Sequence, residues 1–388
     1  MPDSGEAISV RMVERIADVG ADAWDACAGD DNPFLTFAFL HALEASKSAT
    51  AETGWLPQHL VAEDSRGRTI GVVPMYLKSH SYGEYVFDHG WADAYRRAGG
   101  RYYPKLQVAV PFTPVPGARI LVPDRPDRAA IRDALIGALA QIAERLRVSS
   151  LHVTFCTGEE AEAFAAAGFL IRTGCQYHWE NRGYKSFDDF LAALSHGRRK
   201  SIRKERREVA AQGIEVVALS GDDLRPEHWD AFFEFYHATS DRKWGSPYLT
   251  RDFFTRLHAT MADQVVLMMA RKDGRWVAGA LNLVGRDTIY GRNWGSYGEF
   301  PFLHFEACYY RAIDVAIERG LARVEAGAQG EHKIQRGYLP QPVWSAHWIR
   351  DKGFRDAVAQ FLARETVLIR HEMAELQQLS PFKQTENG

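Results

Sequence analysis

The chain repeats itself, and a repeat limits its possible folds more than any other feature. Segments 265–271 and 275–284 flank the turn Lys272-Asp273-Gly274, just as 59–63 and 69–78 flank Arg66-Gly67, and both read as hairpins because alternating strands meet at glycine. Trp229 takes the place of Trp24, and 289–294 that of 84–91. Each half reads as a strand, two helices, a β-meander, a long helix, a strand, a helix and a last strand. Self-similarity of this kind predicts a duplicated α+β unit, residues 1–180 and 181–388, packed across a cleft.

In the first half, 8–13, 84–88, 105–110, 151–156 and 170–179 are expected strands, with helices at 21–28, 35–46, 128–147 and 159–167. The second half adds strands at 214–219, 289–294 and 323–326, helices at 226–239 and 250–261, and a closing helix over 353–378. Ser186 and Asp189 form a capping box for a helix through residue 194. At 388 residues the chain is long for one core, which agrees with two domains. With 46% hydrophobic and 25% charged residues it is globular, and a net charge of -3 means that any affinity for nucleic acid must come from a local patch. Four scattered cysteines have no metal-ligand spacing and read as reduced. No run of about 18 apolar residues spans a membrane and no signal peptide is evident, so a cytoplasmic location is expected, with no metal.

Chemistry concentrates in 325–340. A strand ending near Ala326 leaves through the glycines of 327–330, and Glu331, His332, Lys333 and Arg336 then fall within about one helical turn. Gly337 ends that turn and Pro340 prevents its continuation. A base, an acid and an anion clamp could be drawn from this set. A polar surface loop with a capped helix start is the competing reading. Upstream, Arg292-Asn293-Trp294-Gly295 hints at an aromatic-lined cleft. The segment 198–208 is the strongest charge feature, and Arg199, Arg203 and Arg206 would suit a transfer-RNA donor or a nucleotide-linked acceptor. Glu205 and Glu208 equally suit a solvated helix of internal ion pairs. The proline-rich loop 111–117 either binds acceptor or is a stiff connector.

The order of elements resembles the GNAT acyltransferase fold, and two copies resemble the Fem-type ligases that add amino acids to peptidoglycan precursors. The stretch Glu325-Ala-Gly-Ala-Gln-Gly-Glu-His-Lys, with Arg336-Gly-Tyr-Leu-Pro and Ser345-Ala-His-Trp348, is similar to the FemAB-like family of predicted N-acyltransferases. His304-Phe-Glu-Ala-Cys-Tyr-Tyr310 and Pro111-Phe-Thr-Pro-Val115 match the same pattern. This resemblance implies transfer of an acyl or aminoacyl group to a small-molecule or peptide amine, a peptidoglycan precursor being one candidate. Acyl-CoA or aminoacyl-tRNA would be a co-substrate, with no tightly bound cofactor. The pyrophosphate loop of coenzyme-A-using acetyltransferases is missing, which argues against plain acetyl-CoA.

In that fold the strands before and after the long helix splay apart around the acyl group. Here they would be 289–294 and 323–328, which places the reaction centre among Arg292, Trp294, Glu325, Gln329, Glu331 and His332. His332 or Glu331 would carry the proton. His304 and Glu306, at the helix start, would receive an anionic donor group, unless Glu306 only complements the helix dipole. Lys333 and Arg336 could clamp a carboxylate or phosphate, with Tyr338 beside them. Direct attack by the amine is expected, since no cysteine or serine sits in a nucleophile setting. A catalytically silent ligand-binding module is the alternative.

Overall fold

The computed structural model describes residues 8–243, 247–327 and 330–383, with the backbone alone over 240–243. The chain forms two compact units, 1–174 with 342–370 and 175–341 with 371–388. In place of one boundary after residue 180, the chain passes between units after residues 174, 341 and 370.

Unit 1 begins with β1 (Ser9–Val13), α1 (Ala21–Ala28), α2 (Phe37–Ala45), β2 (Trp55–Pro57), β3 (His59–Glu63), β4 (Thr69–Val73) and β5 (Met75–Lys78). Then follow α3 (His89–Arg97), β6 (Lys105–Val108), α4 (Arg128–Arg145), β7 (Ser150–Cys156), α5 (Gly158–Ala166) and β8 (Leu170–Glu180), whose last residues enter unit 2. Strands β1-β3-β4 make one small sheet, and β2-β5-β6-β7 continue into a strand that returns from residue 342. Helix α4 presents Ile131, Leu135, Leu139 and Ile142 at helical spacing to the core. It lies so close to β4 that a Cβ on Gly71 would meet Leu135 at 2.9 Å.

The expected strand at 84–88 does not form. Glu84 and Asp88 turn inward to the buried ammonium of Lys105, 2.7 Å from Glu84, so side-chain bonds shape this segment in place of a ladder. Asp88 then leads directly into α3, which carries Trp91. The true counterpart of 289–294 is therefore β6.

Unit 2 adds α6 (Phe187–Ala193), α7 (His196–Ala211), β9 (Ile214–Leu219), α8 (Pro226–Lys243), α9 (Arg251–Met261), β10 (Val265–Lys272), β11 (Arg275–Val284) and β12 (Thr288–Ser296). A composite helix comprises α10 (Leu303–Phe305), a π-turn Glu306–Tyr310 and α11 (Arg311–Glu318), followed by β13 (Arg323–Glu325) and the 3-10 turn Glu331–Arg336. Strand β14 (Leu339–Ile349) and α12 (Lys352–Gln378) complete the chain. The strand order here is β8-β13-β12-β11-β10-β9. Ser186 caps α6 by accepting from the Asp189 N–H, while the Asp189 carboxylate accepts from Lys185 N, one residue away from a full capping box. Gly295 lets β12 meet the backbone of α8, since a Cβ there would lie 2.2 Å from the Phe235 carbonyl.

The repeat survives at its centre. Leu106–Val108 pairs in parallel with Leu151–Val153 around α4, and Thr288–Tyr290 pairs in parallel with Arg323–Glu325 around the composite helix. Both tryptophans, Trp24 and Trp229, are buried on the corresponding helices α1 and α8.

Candidate functional site

In unit 2, β13 ends at Glu325 while β12 runs on to Ser296, so among the described residues the strand pairing between them stops at Tyr290 and Glu325. A hollow of about 80 Å³ occupies the gap. Gly291, Arg292, Asn293 and Trp294 line it on one side, and His304, Cys308 and Tyr309 of the composite helix on another. The π-turn supplies the last two. Its wider backbone advances the side chains of the final turn relative to an α-helix, a feature that often marks functional sites. Trp294, His304 and Tyr309 form a continuous edge-to-face aromatic wall, with ring centroids 5.3 Å apart at each step.

Two groups that the sequence did not single out complete the site. The Tyr309 hydroxyl lies 3.0 Å from Nε2 of His332, and burial raises its pKa. Asn282, buried at a register shift in β11, donates to the carbonyls of Val266 and Ala280, leaving Oδ1 without a partner beside Gly291. A buried asparagine in an alternating strand looks like any core-facing polar residue in sequence. Tyr309 could have been found, since it stands in the motif that begins at His304.

His332 is partly exposed, tilts over Phe305, and has its pKa lowered by partial desolvation and then by the charges of Arg336 and Lys333, so the neutral imidazole is favoured. Glu331 is exposed and, among the described residues, makes no side-chain hydrogen bond or ion pair. Glu325 is buried and does not line the hollow. Its carboxyl, pushed up to about 8 by burial, sits 3.9 Å from His178 and 3.8 Å from Arg323. His178, opposite it on β8, is driven down to about 3 by burial. Gln329 lies outside the described residues.

Several expected ligand contacts are spent inside the protein. Lys333 is buried, its ammonium held by the Gly327 carbonyl at 2.9 Å and its pKa lowered to about 8 by desolvation. Arg336 binds both oxygens of Glu205 at 3.0 Å and the His332 carbonyl, and stacks 3.5 Å from the Phe305 ring centroid. Neither is a free anion clamp. The four residues of this turn do not converge, because a tight 3-10 turn sends them in different directions. Tyr338 is fully buried and donates to the Tyr309 carbonyl, so it supports the wall from behind and meets no substrate. Glu306 is buried against Arg206 at 2.9 Å, which removes it from any donor site and Arg206 from any phosphate patch. Arg203 reaches Asp188 at 2.8 Å, and Arg199 alone of the three has no side-chain partner among the described residues.

In unit 1, loop 111–117 is held from inside the fold. Buried Arg119 ties its Val115 and Gly117 carbonyls at 2.7 and 3.1 Å. Among the described residues, no cluster of His, Cys, Asp and Glu could hold a metal, and no helix is long and apolar enough to cross a membrane.

The sequence matches the FemAB-like family, described as peptidoglycan biosynthesis/recognition, over residues 15–384. The chain belongs to the FemAB-like family. The family expected from the sequence is thereby borne out, and so is the α+β fold class. Two solved structures share the FemAB-like chain's fold with a TM-score of 0.55. One is FemX, at 12% identity over 90% of this chain and 100% of that one. The other, at 10% identity over 91% and 97%, is the C-terminal domain of an Agrobacterium fabrum chain provisionally named lysylphosphatidylglycerol synthetase. A conserved protein of unknown function from Bacteroides thetaiotaomicron aligns at 13% identity and a TM-score of 0.53, over 88% of this chain and all of that one. At such identities the likeness concerns the fold alone. Comparison with curated proteins gives no match.

Proposed function

We propose that unit 2 is an N-acyltransferase that moves an acyl or aminoacyl group from acyl-CoA or aminoacyl-tRNA to an amine, on a peptidoglycan precursor or a related small molecule or peptide. Either donor fits a cytoplasmic location. The observation that carries this reading is the hollow beside β12 where it runs past the end of β13, walled by Tyr309, whose hydroxyl is bonded to the neutral-leaning His332. Backbone groups of that stretch of β12 can meet the donor carbonyl, where fixed dipoles stabilise an oxyanion better than water does. The amine nitrogen bonds to the carbonyl carbon and the C–S or C–O bond breaks. His332 takes the amine's proton, and Tyr309, kept protonated by burial, gives its own to the departing thiol or ribose hydroxyl and is resupplied from His332.

Mass spectrometry of the small molecules and RNA that co-purify with the protein tests the donor: a retained thioester or aminoacyl-tRNA is the expected result. Replacing His332 or Tyr309 then separates enzyme from binding module. Loss of turnover with ligand retention intact supports the transferase, and a wild-type protein that binds donor and acceptor without transfer refutes it.

A further inference from the structure

Unit 1 contains a cavity of about 900 Å³ that takes no part in the transfer chemistry above. It lies between α3 and the part of α12 that belongs to this unit. The two helices face each other across Gly90, Ala94 and Ala98 on one side and Gly353 and Ala357 on the other, side chains too small to fill the space. They do touch at two points, where Tyr95 and Phe354 stack with centroids 4.5 Å apart and where Trp91 meets Phe361 edge to face at 6.3 Å. Over the rest a trough remains, floored by small residues and rimmed by Trp91, Phe87 and Phe361. The last two are 55% and 41% exposed, large apolar surface that a soluble protein ordinarily covers.

The charge inventory decides what can lie there. Arg172 is at the wall, but Nε and Nη2 bind both oxygens of Glu365 at 2.8 and 2.7 Å, and Nη1 donates to the Phe87 carbonyl. Asp351 accepts from the Phe354 N–H and so caps α12. Arg172 thus has no charge left for an anionic ligand, and the Asp351 carboxylate sits at one end of the trough on the start of α12, so the occupant that matches the length between them is uncharged. Shape decides between a ring and a chain. From Gly90 to Ala98, and again from Gly353 to Phe361, the trough follows eight helical steps, about 12 Å at 1.5 Å per residue. A compact aromatic ring would leave most of that length empty.

We infer that this trough is a binding site for an uncharged alkyl chain, and thus a hydrocarbon-recognition site separate from the transfer site and independent of its assignment. Octyl glucoside, below its micelle concentration, is a suitable probe, with glucose and 2-naphthol as controls, each titrated into the full-length protein by calorimetry. Saturable binding of one octyl chain per protein is expected, with no binding of glucose and weaker binding of the aromatic. A Cβ added at Gly90 meets nothing within 4 Å, so Gly90→Leu should project into the trough, weaken octyl binding at least tenfold and keep or raise Tm. Ala357→Leu serves the same purpose from α12 should Gly90→Leu fail to fold. A bromo-octyl probe located crystallographically gives a readout that needs no variant, with bromine expected between α3 and α12. No saturable binding, a preference for 2-naphthol, undiminished binding in a folded filled variant, or bromine found elsewhere would each overturn the assignment.

Discussion

The Tyr309 hydroxyl and the His332 imidazole lie 3.0 Å apart, although the two residues come from different elements, a π-turn and a 3-10 turn. A proton relay needs such a pair, and its members should fail together. Tyr309→Phe and His332→Ala are each expected to lower kcat by about 10²-fold or more, with the double variant little worse than either alone. Fully additive losses in a double-mutant cycle would show that the two act separately. Because partial desolvation and two neighbouring cations hold the His332 pKa down, the acidic limb of kcat/KM should fall below the ordinary histidine value of about 6.5. Lys333→Met, which removes one of those cations, should move the limb upward.

Glu325 gives a stability prediction that is independent of turnover. Burial raises its folded-state pKa to about 8, against about 4.3 in an unfolded chain. The folded protein therefore holds a proton that the unfolded chain has released. The associated stability is complete below about pH 4 and drains away as pH rises toward 8. Glu325→Gln has no such proton to lose. Between pH 5 and pH 8 in urea unfolding, wild type should lose more stability than the variant by over about 1 kcal/mol, roughly one pKa unit's worth. Equal losses would mean that the carboxyl ionises normally.

What the sequence disclosed depended on whether the deciding partner was local. Gly327 and Gly337 both adopt positive φ, so the backbone around His332 could be placed from the glycines alone. The hairpins and α4 followed from periodicity, and the parting strands from the family resemblance. By contrast, Lys333 and Arg336 looked like free cations because their partners are the Gly327 carbonyl and Glu205, the first invisible in any pattern and the second 131 residues away. The buried cluster of unit 1 was hidden for the same reason. Lys105 draws in Glu84 and Asp88, His152 lies 3.8 Å from Asp88, and Nδ1 of His152 meets Nδ1 of His347 at 2.7 Å across 195 residues. Burial drives His152 down to about 3, which suits a neutral link between Ser150 and His347. That network is why 84–88 is not a strand.

Helix α7 separates structural from available cations. Arg206 contacts Glu306 at 2.9 Å and Asp314 at 2.7 Å and lies 4.4 Å from the Phe187 ring centroid, whereas Arg199 has no side-chain partner among the described residues. Arg206→Gln leaves the buried Glu306 without its bonded cation, while Asp314 keeps Arg311 at 3.0 Å, and should cost about 3 kcal/mol in denaturant unfolding. Arg199→Gln should leave Tm unchanged. With an aminoacyl-tRNA donor it should also weaken RNA binding and flatten the salt dependence by about one unit of slope. An unchanged slope would remove α7 from donor recognition.

Arg119 makes the strongest structural claim on the proline-rich loop. Its side chain is fully buried, and four carbonyls accept from it: Val115, Gly117, Ala118 and, through Nε, Thr154 at 2.8 Å. Glu160 offsets the charge indirectly, accepting from the backbone N–H groups of Arg119 and Ile120, both at 2.7 Å, while Thr157 caps α5 above it. Desolvation lowers the guanidinium pKa to about 10, still well above neutrality, so the group remains charged. Arg119→Met keeps the aliphatic volume but leaves those carbonyls and the Glu160 carboxylate without their cation. A loss of about 3 kcal/mol or more is expected in urea unfolding, the cost of breaking a buried charged network on one side. Glu160→Gln should cost less, because its amide oxygen can still accept from both backbone N–H groups. The opposite ranking would mean that the loop is held by the helix cap and not by the arginine.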